Sequence, residues 1–182
     1  MFDFLKKNSL LVVVAVGLLW FVGKYFYAIP NAVNGDIAPN FAGIQPDSTP
    51  FELNSLRKHY VLLDFWGSWC GPCVEEMPEV RVLFTQFHGQ KFRDAADFDV
   101  VSFGIERDRS RWLSAIERLQ LGAWFHVSDF QYLSSPTAKA YGVRVVPTKF
   151  LLNTEGGIVA VNPTIAEVRK FLTEKLTPIN PK

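Results

Sequence analysis

Cys70 and Cys73 are the only cysteines in this 182-residue chain, and only Gly71 and Pro72 separate them. A bridge across so short a loop removes little chain entropy, so it would be a poor staple. Small disulfide-framed domains carry more cysteines at wider spacing. The pair therefore reads as chemistry. Thiolates, not thiols, attack disulfides, and a cysteine with the ordinary pKa of about 8.5 needs help to ionise. Cys70 falls where an apolar run has ended and a helix is predicted to begin. Free amides and the helix dipole favour an anionic sulfur there. Cys73 lies one turn on, close enough to bridge and to release a partner held as a mixed disulfide. Pro72 suits a first turn, where its missing N–H costs little. The competing chemistry is half a zinc site. Zinc takes four ligands, commonly two such pairs or one pair plus two histidines. His59, His88 and His126 are scattered and no second pair exists, so no metal site is expected.

One carboxylate is placed unusually. Tyr60 to Trp66 is a nearly continuous apolar run, the pattern of a central strand buried on both faces, and Asp64 lies inside it. A charge there is costly unless it serves a purpose. The plainer alternative is a strand-end carboxylate satisfied by hydrogen bonds.

The elements that must hold these groups follow from periodicity. Gly67 and Ser68 end the Tyr60–Trp66 strand. A helix is predicted from about Gly71 to Phe87, with Val80, Leu83, Phe84 and Phe87 facing the core and a kink at Pro78. Phe98–Ile105 reads as a second strand. Asp108 or Ser110 caps a helix striped with Trp112, Ala115, Ile116 and Leu119. Trp124–Val127 is a third strand, and Ser135–Tyr141 a short helix ended by Gly142. Thr148–Leu152 and Ile158–Val161 pair through the loop Asn153–Gly157. Thr164 and Glu167 form a capping box for a last helix carrying Ile165, Val168, Leu172 and Leu176. From Thr177 the tail is expected to fray. A short strand is also expected near Phe51–Leu53. Early crossovers imply parallel strands and the late hairpin an antiparallel pair. The expected class is α/β: a central mixed sheet flanked by helices on both faces, with a central helix–strand insertion.

The N-terminus reads differently. Lys6 and Lys7 precede an unbroken apolar run, Leu10 to Gly23, followed by Lys24 and the aromatics Tyr25, Phe26 and Tyr27. Leu10–Ile29 is about 20 residues, the length of a bilayer-crossing helix. Lys24 can snorkel and the aromatics suit an interfacial belt. A cleaved signal peptide is the competing reading, but no clean small-x-small site follows the run. The expected division is an anchor over residues 1–29 with its helix at about 9–29, a linker over 30–37, and a domain over 38–182. That domain is large enough for one core. Lys6 and Lys7 should stay inside, exporting the domain. With 19 basic and 18 acidic residues no strong field exists, and nucleic acid is not an expected partner.

The stretch Leu63-Asp64-Phe65-Trp66-Gly67-Ser68-Trp69-Cys70-Gly71-Pro72-Cys73 closely resembles the active-site strand and turn of thioredoxins. Pro78, five residues past the second cysteine, matches too. Ala38-Pro39-Asn40-Phe41, Glu76-Met77-Pro78 and the extra helix and strand between Arg109 and Val127 resemble the TlpA/ResA-like, envelope-facing branch of that superfamily. Tyr141-Gly142-Val143 with Val146-Pro147-Thr148 resembles its cis-proline segment. The likeness runs from about Asp36 to Leu176. Asn153 stands where the family has Asp, and Lys58-His59 where it has Gly-Lys, both read as loop positions.

The resemblance implies a thioredoxin-like fold and a set of roles. Cys70 would be the nucleophile, and Cys73 the buried resolving thiol. Asp64 would be the acid that moves a proton at Cys73. Pro147 would be cis against the pair, leaving the Val146 backbone to bind a client strand; an ordinary edge-strand proline is the plainer account. Trp69, Gly71, Pro72, Val146, Pro147 and Thr148 would line the client site, Trp66 would be core, and Glu76 matches the family's acid without an assigned role. No cofactor is implied beyond the redox-active Cys70–Cys73 disulfide. The implied activity is thiol–disulfide exchange with exported protein clients, in the reducing direction, apocytochrome c thiols among them, fed by a membrane thiol donor. The implied setting is a bacterial inner membrane, crossed once with the N-terminus inside and the domain periplasmic or extracytoplasmic. A thiol peroxidase is an alternative, because Ala-Pro-Asn-Phe is also similar to peroxiredoxins. A redox-inactive binding module is another.

Overall fold

The computed structural model describes residues 9–178. Lys6, Lys7 and tail residues 179–182 lie outside the described residues, as does the side chain of Tyr25. Helix α1 (Ser9–Ala28) is followed by a small antiparallel hairpin, β1 (Ala42–Ile44) and β2 (Pro50–Glu52), and a 3-10 turn at Leu53–Leu56. Then come β3 (His59–Trp66), α2 (Gly71–Phe87), β4 (Asp97–Gly104), α3 (Arg109–Arg118) and β5 (Phe125–Val127). A second 3-10 turn, α4 (Pro136–Ala140), β6 (Thr148–Leu152), β7 (Ile158–Val161) and α5 (Ile165–Lys175) complete the chain.

Five strands form one sheet in the order β5-β4-β3-β6-β7. The β3–β4 and β4–β5 pairs are parallel, the β3–β6 and β6–β7 pairs antiparallel. This is the mixed sheet expected from the helix crossovers and the late hairpin, and it is thioredoxin-like. Strand β3 sits at the centre because it is apolar toward both sides. Alternate side chains of a strand face opposite ways. Leu62 and Trp66 meet α2, α3 and α5 on one face, while Val61, Leu63 and Phe65 meet α4, the β1–β2 hairpin and the first 3-10 turn on the other. Helices flank both faces, three against one. Each such side chain, fully buried, stabilises the fold by roughly 1.5–3 kcal/mol.

Several boundaries differ from expectation. Strand β1 is too short and too poor in β-branched residues to show a pattern. His59 is the first residue of β3, not part of a loop, and its Nδ1 lies 2.5 Å from Asp99 Oδ2. Lys58 before it has φ +76°, a conformation glycine adopts without strain. Asn153 Oδ1 accepts from the backbone N–H groups of Glu155 and Gly157, shaping its turn. Leu176 falls just past α5, and the Thr177 N–H donates to the Lys91 carbonyl at 2.9 Å. Asp108, not Ser110, caps α3. Thr164 and Glu167 do form the capping box.

Residues 29–38 run against the domain. Ala32 donates to Tyr141, Gly35 to Ile158 and Ala38 to Gly156 through backbone bonds. Arg144 holds the end of α1. One guanidinium nitrogen donates to the carbonyls of Tyr27 and Ile29, each at 3.2 Å, and the other to Asn31 Oδ1 at 3.1 Å. Gly142 ends the short helix as expected, with φ +67°, and a Cβ there would stand 2.3 Å from the Asn31 backbone nitrogen. Gly142→Ala should therefore cost more than the usual ~1 kcal/mol of such a replacement. Urea unfolding of the variant should show it, with faster proteolysis around residues 29–36.

Candidate active site

The end of β3 and the start of α2 place the cysteines. Cys70 N donates to Gly67 O at 3.0 Å, so a tight turn carries the chain out of the strand. Cys70 is the N-cap of α2, in extended conformation, and its Sγ accepts from Cys73 N at 3.3 Å. Capping residues normally offer an oxygen at this position. Here a sulfur sits among the unpaired amides of a helix start, where a negative charge is favoured. The two cysteines are bridged, with Cα atoms 5.2 Å apart. Cys70 is 6% exposed and Cys73 1%. Cys70 is thus the more accessible of the two.

The Val146–Pro147 peptide bond is cis, and Val146 O lies 3.7 Å from Cys70 Sγ. Gly71, Pro72 and half-exposed Trp69 border the same spot. Trp69 is held by its indole N–H, which donates to Ile105 O at 2.8 Å, and its ring packs on Tyr132. Thr148 differs from expectation. It is buried, and its hydroxyl donates to Val145 O at 2.7 Å. Its hydroxyl braces the loop and faces inward. Trp66 is core, as expected. A groove of about 570 Å³ opens beside Pro72 and Pro147, walled by Glu75, Glu76 and Glu79 from α2 and by Asn162–Ala166.

Asp64 lies beneath this surface, 1% exposed, on the face of β3 that meets α2. Its Oδ1 has no hydrogen-bond partner. Burial pushes its pKa up to about 7, moderated by the positive charge of Lys149 and reinforced by the negative charge of Glu76. The unpartnered oxygen does not fit a strand-end carboxylate satisfied by hydrogen bonds.

Comparison with known proteins agrees with this geometry. The model of the Redoxin family matches residues 33–171. The chain belongs to the Redoxin family. Among relatives of this Redoxin chain, the thiol-disulfide oxidoreductase ResA of Bacillus subtilis (strain 168) is 30% identical over 167 residues, covering 86% of each protein. A thiol-disulfide oxidoreductase structure from Bacteroides fragilis superposes with a TM-score of 0.66 at 30% identity, covering 76% of this chain and 98% of that one. The thioredoxin domain of an oxidoreductase from Bacteroides vulgatus has a TM-score of 0.68 at 24% identity, covering 79% of this chain and 98% of that one, and matches in fold. This Redoxin-family protein is a thiol–disulfide oxidoreductase, and its substrates are protein thiols and disulfides.

Two residues of the Redoxin site escaped sequence reading. Lys149 Nζ donates to Glu76 Oε2 at 2.6 Å in a largely buried pair, so Glu76 is not a free surface carboxylate. Glu106, buried just past β4, accepts the N–H of Ser68 in the turn before Trp69, and burial raises its pKa. An acid two residues past a strand gives no periodic signal. Lys149 did leave a trace, as a charge inside an apolar strand like Asp64.

Proposed function

We propose that this chain is a membrane-tethered reductant of disulfides in exported proteins. In this reading Cys70 attacks the client, Cys73 resolves the mixed disulfide, and Asp64 takes the proton from Cys73. Trp69, Gly71, Pro72, Val146 and Pro147 hold the client strand. The carrying observation is a Gly-Pro pair between the cysteines at a helix start, facing the Val146 carbonyl. The same dipeptide occurs in thioredoxin, whose potential is about −270 mV, against about −120 mV for the oxidant DsbA. Apocytochrome c thiols are the proposed clients. The name ResA borne by the relatives is compatible with that choice.

The tether is the first 29 residues, ahead of a connecting segment and the domain that starts near residue 38. One helix among the described residues is long and apolar enough to cross a membrane: Leu11–Ala28, mean hydropathy 1.9, with none of it buried against the rest of the chain. The proposed topology has the N-terminus inside and the domain outside the inner membrane. A reductant in an oxidising compartment needs electrons from across the bilayer, which makes a membrane thiol donor the proposed partner. Equilibration of the Cys70–Cys73 couple against dithiothreitol or glutathione tests the direction. A potential near −270 mV is expected, and one near −120 mV overturns the reductant reading.

A further inference from the structure

Lys149 occupies the second position of β6, a strand whose five residues are all buried, and is itself 6% exposed. A buried ammonium is costly unless it is paired. Its backbone is fixed by Asn162, whose side-chain oxygen accepts from Lys149 N at 2.9 Å and whose N–H donates to Lys149 O at 2.7 Å. Across the sheet Lys149 is the register partner of Asp64. Its Nζ is 2.6 Å from Glu76 Oε2 on α2. One cation from β6 thus stands between a carboxyl of β3 and a carboxylate of α2, one turn from Cys73.

We propose that Lys149 is a positioning residue for the resolving step, holding Asp64 ready to accept the Cys73 proton at neutral pH and holding Glu76 in place. The proposal rests on the reading of Asp64 given above. In that step the Asp64 carboxylate takes the proton of the Cys73 thiol. The Cys73 thiolate then attacks Cys70 Sγ, the Cys70–client S–S bond breaks, and the client leaves as a thiolate that takes a proton from water. Two electrons pass from the protein dithiol to the client disulfide.

Charge around Asp64 is sparse, which gives Lys149 its leverage. From α2 come Glu76 and the cysteines, with Glu75 and Glu79 further out on the groove wall. From β4 comes Ser102, register partner of Asp64, whose hydroxyl accepts from Trp124. One strand further, His126 is kept neutral by burial, its pKa lowered to about 4, with Nε2 on Leu121 O. At the start of α5, Glu167 is tied to Thr164. Lys149 and Glu76 are therefore the charges that act on Asp64, on top of its burial.

The test is the pH profile of mixed-disulfide resolution, followed by stopped flow with a peptide disulfide. Lys149→Met should move the limb to higher pH, with resolution slower by about tenfold at pH 7 for each unit moved and recovering toward pH 9. Glu76→Gln should move it to lower pH, and Lys149→Arg should leave it near wild type. Shifts of opposite sign are not produced by loosened packing. An unmoved limb in Lys149→Met, or a Glu76→Gln shift in the same direction, overturns the proposal. If Lys149→Met does not fold, Glu76→Gln and Lys149→Arg decide on the same criteria. Asp64→Asn separates the two readings: a limb that persists there overturns the role of Asp64 itself.

Discussion

Cys70→Ser is expected to lower insulin-disulfide reduction by roughly a thousandfold or more, because a serine hydroxyl stays protonated at neutral pH and cannot displace a thiolate. The variant should fold. The bridge spans only three residues, so its loss removes little entropy, and Cys70 lies at the rim of the core. Far-UV circular dichroism and the urea midpoint should stay close to those of the reduced wild-type protein. Reduction that survives the substitution would refute Cys70 as nucleophile, whatever the fold.

Asp64→Asn should have two effects of opposite sense. Kinetically, the loss of the proton acceptor should slow resolution by roughly a hundredfold at pH 7, the lower end of the range for general acid–base groups. Thermodynamically, the variant should be more stable. Burial raises the pKa of Asp64 from 3.8 to about 7, so the folded state binds its proton more tightly than the unfolded state. Stability from this group is fully present below about pH 4 and is lost as pH rises to about 7. A shift of about three units corresponds to about 4 kcal/mol, an upper figure once local relaxation is allowed for. Urea unfolding should therefore show Asp64→Asn equal to wild type near pH 4 and more stable by about 2–4 kcal/mol at pH 8. Equal stability at both pH values would mean that Asp64 is not held in the desolvated site described above.

Much of this site could be read in the chain. The apolar run around Asp64, the helix starting at the cysteines and the capping box at Thr164 all follow from local spacing, and the structure has each of them. What escaped depends on register. Lys149 could have pointed outward from β6, and only its pairing opposite Asp64 makes it part of the site. Thr148 looked available beside Pro147, yet the turn of the loop directs its hydroxyl inward to Val145. Glu106 reaches Ser68 across 38 residues of sequence, and no window along the chain brings the two together. Of the β1–β2 hairpin, the strand at Phe51 was legible, one residue displaced, and β1 was not: Ala42–Ile44 is shorter than the patterns that reveal strands.

Arg144 links α1 to the redox face. It grips the carbonyls of Tyr27 and Ile29, and two residues later Val146 touches the sulfur of Cys70. Chain and side-chain reach put Cys70 within about 25 Å of the last turn of α1. With α1 in a bilayer as proposed, the domain is not a ball on a long leash. Its reactive sulfur then stays within that reach of the membrane end of the helix. Encounters with a membrane-bound thiol then become a search in two dimensions, with effective concentration set by orientation rather than by tether length. A soluble client must instead come down to that plane.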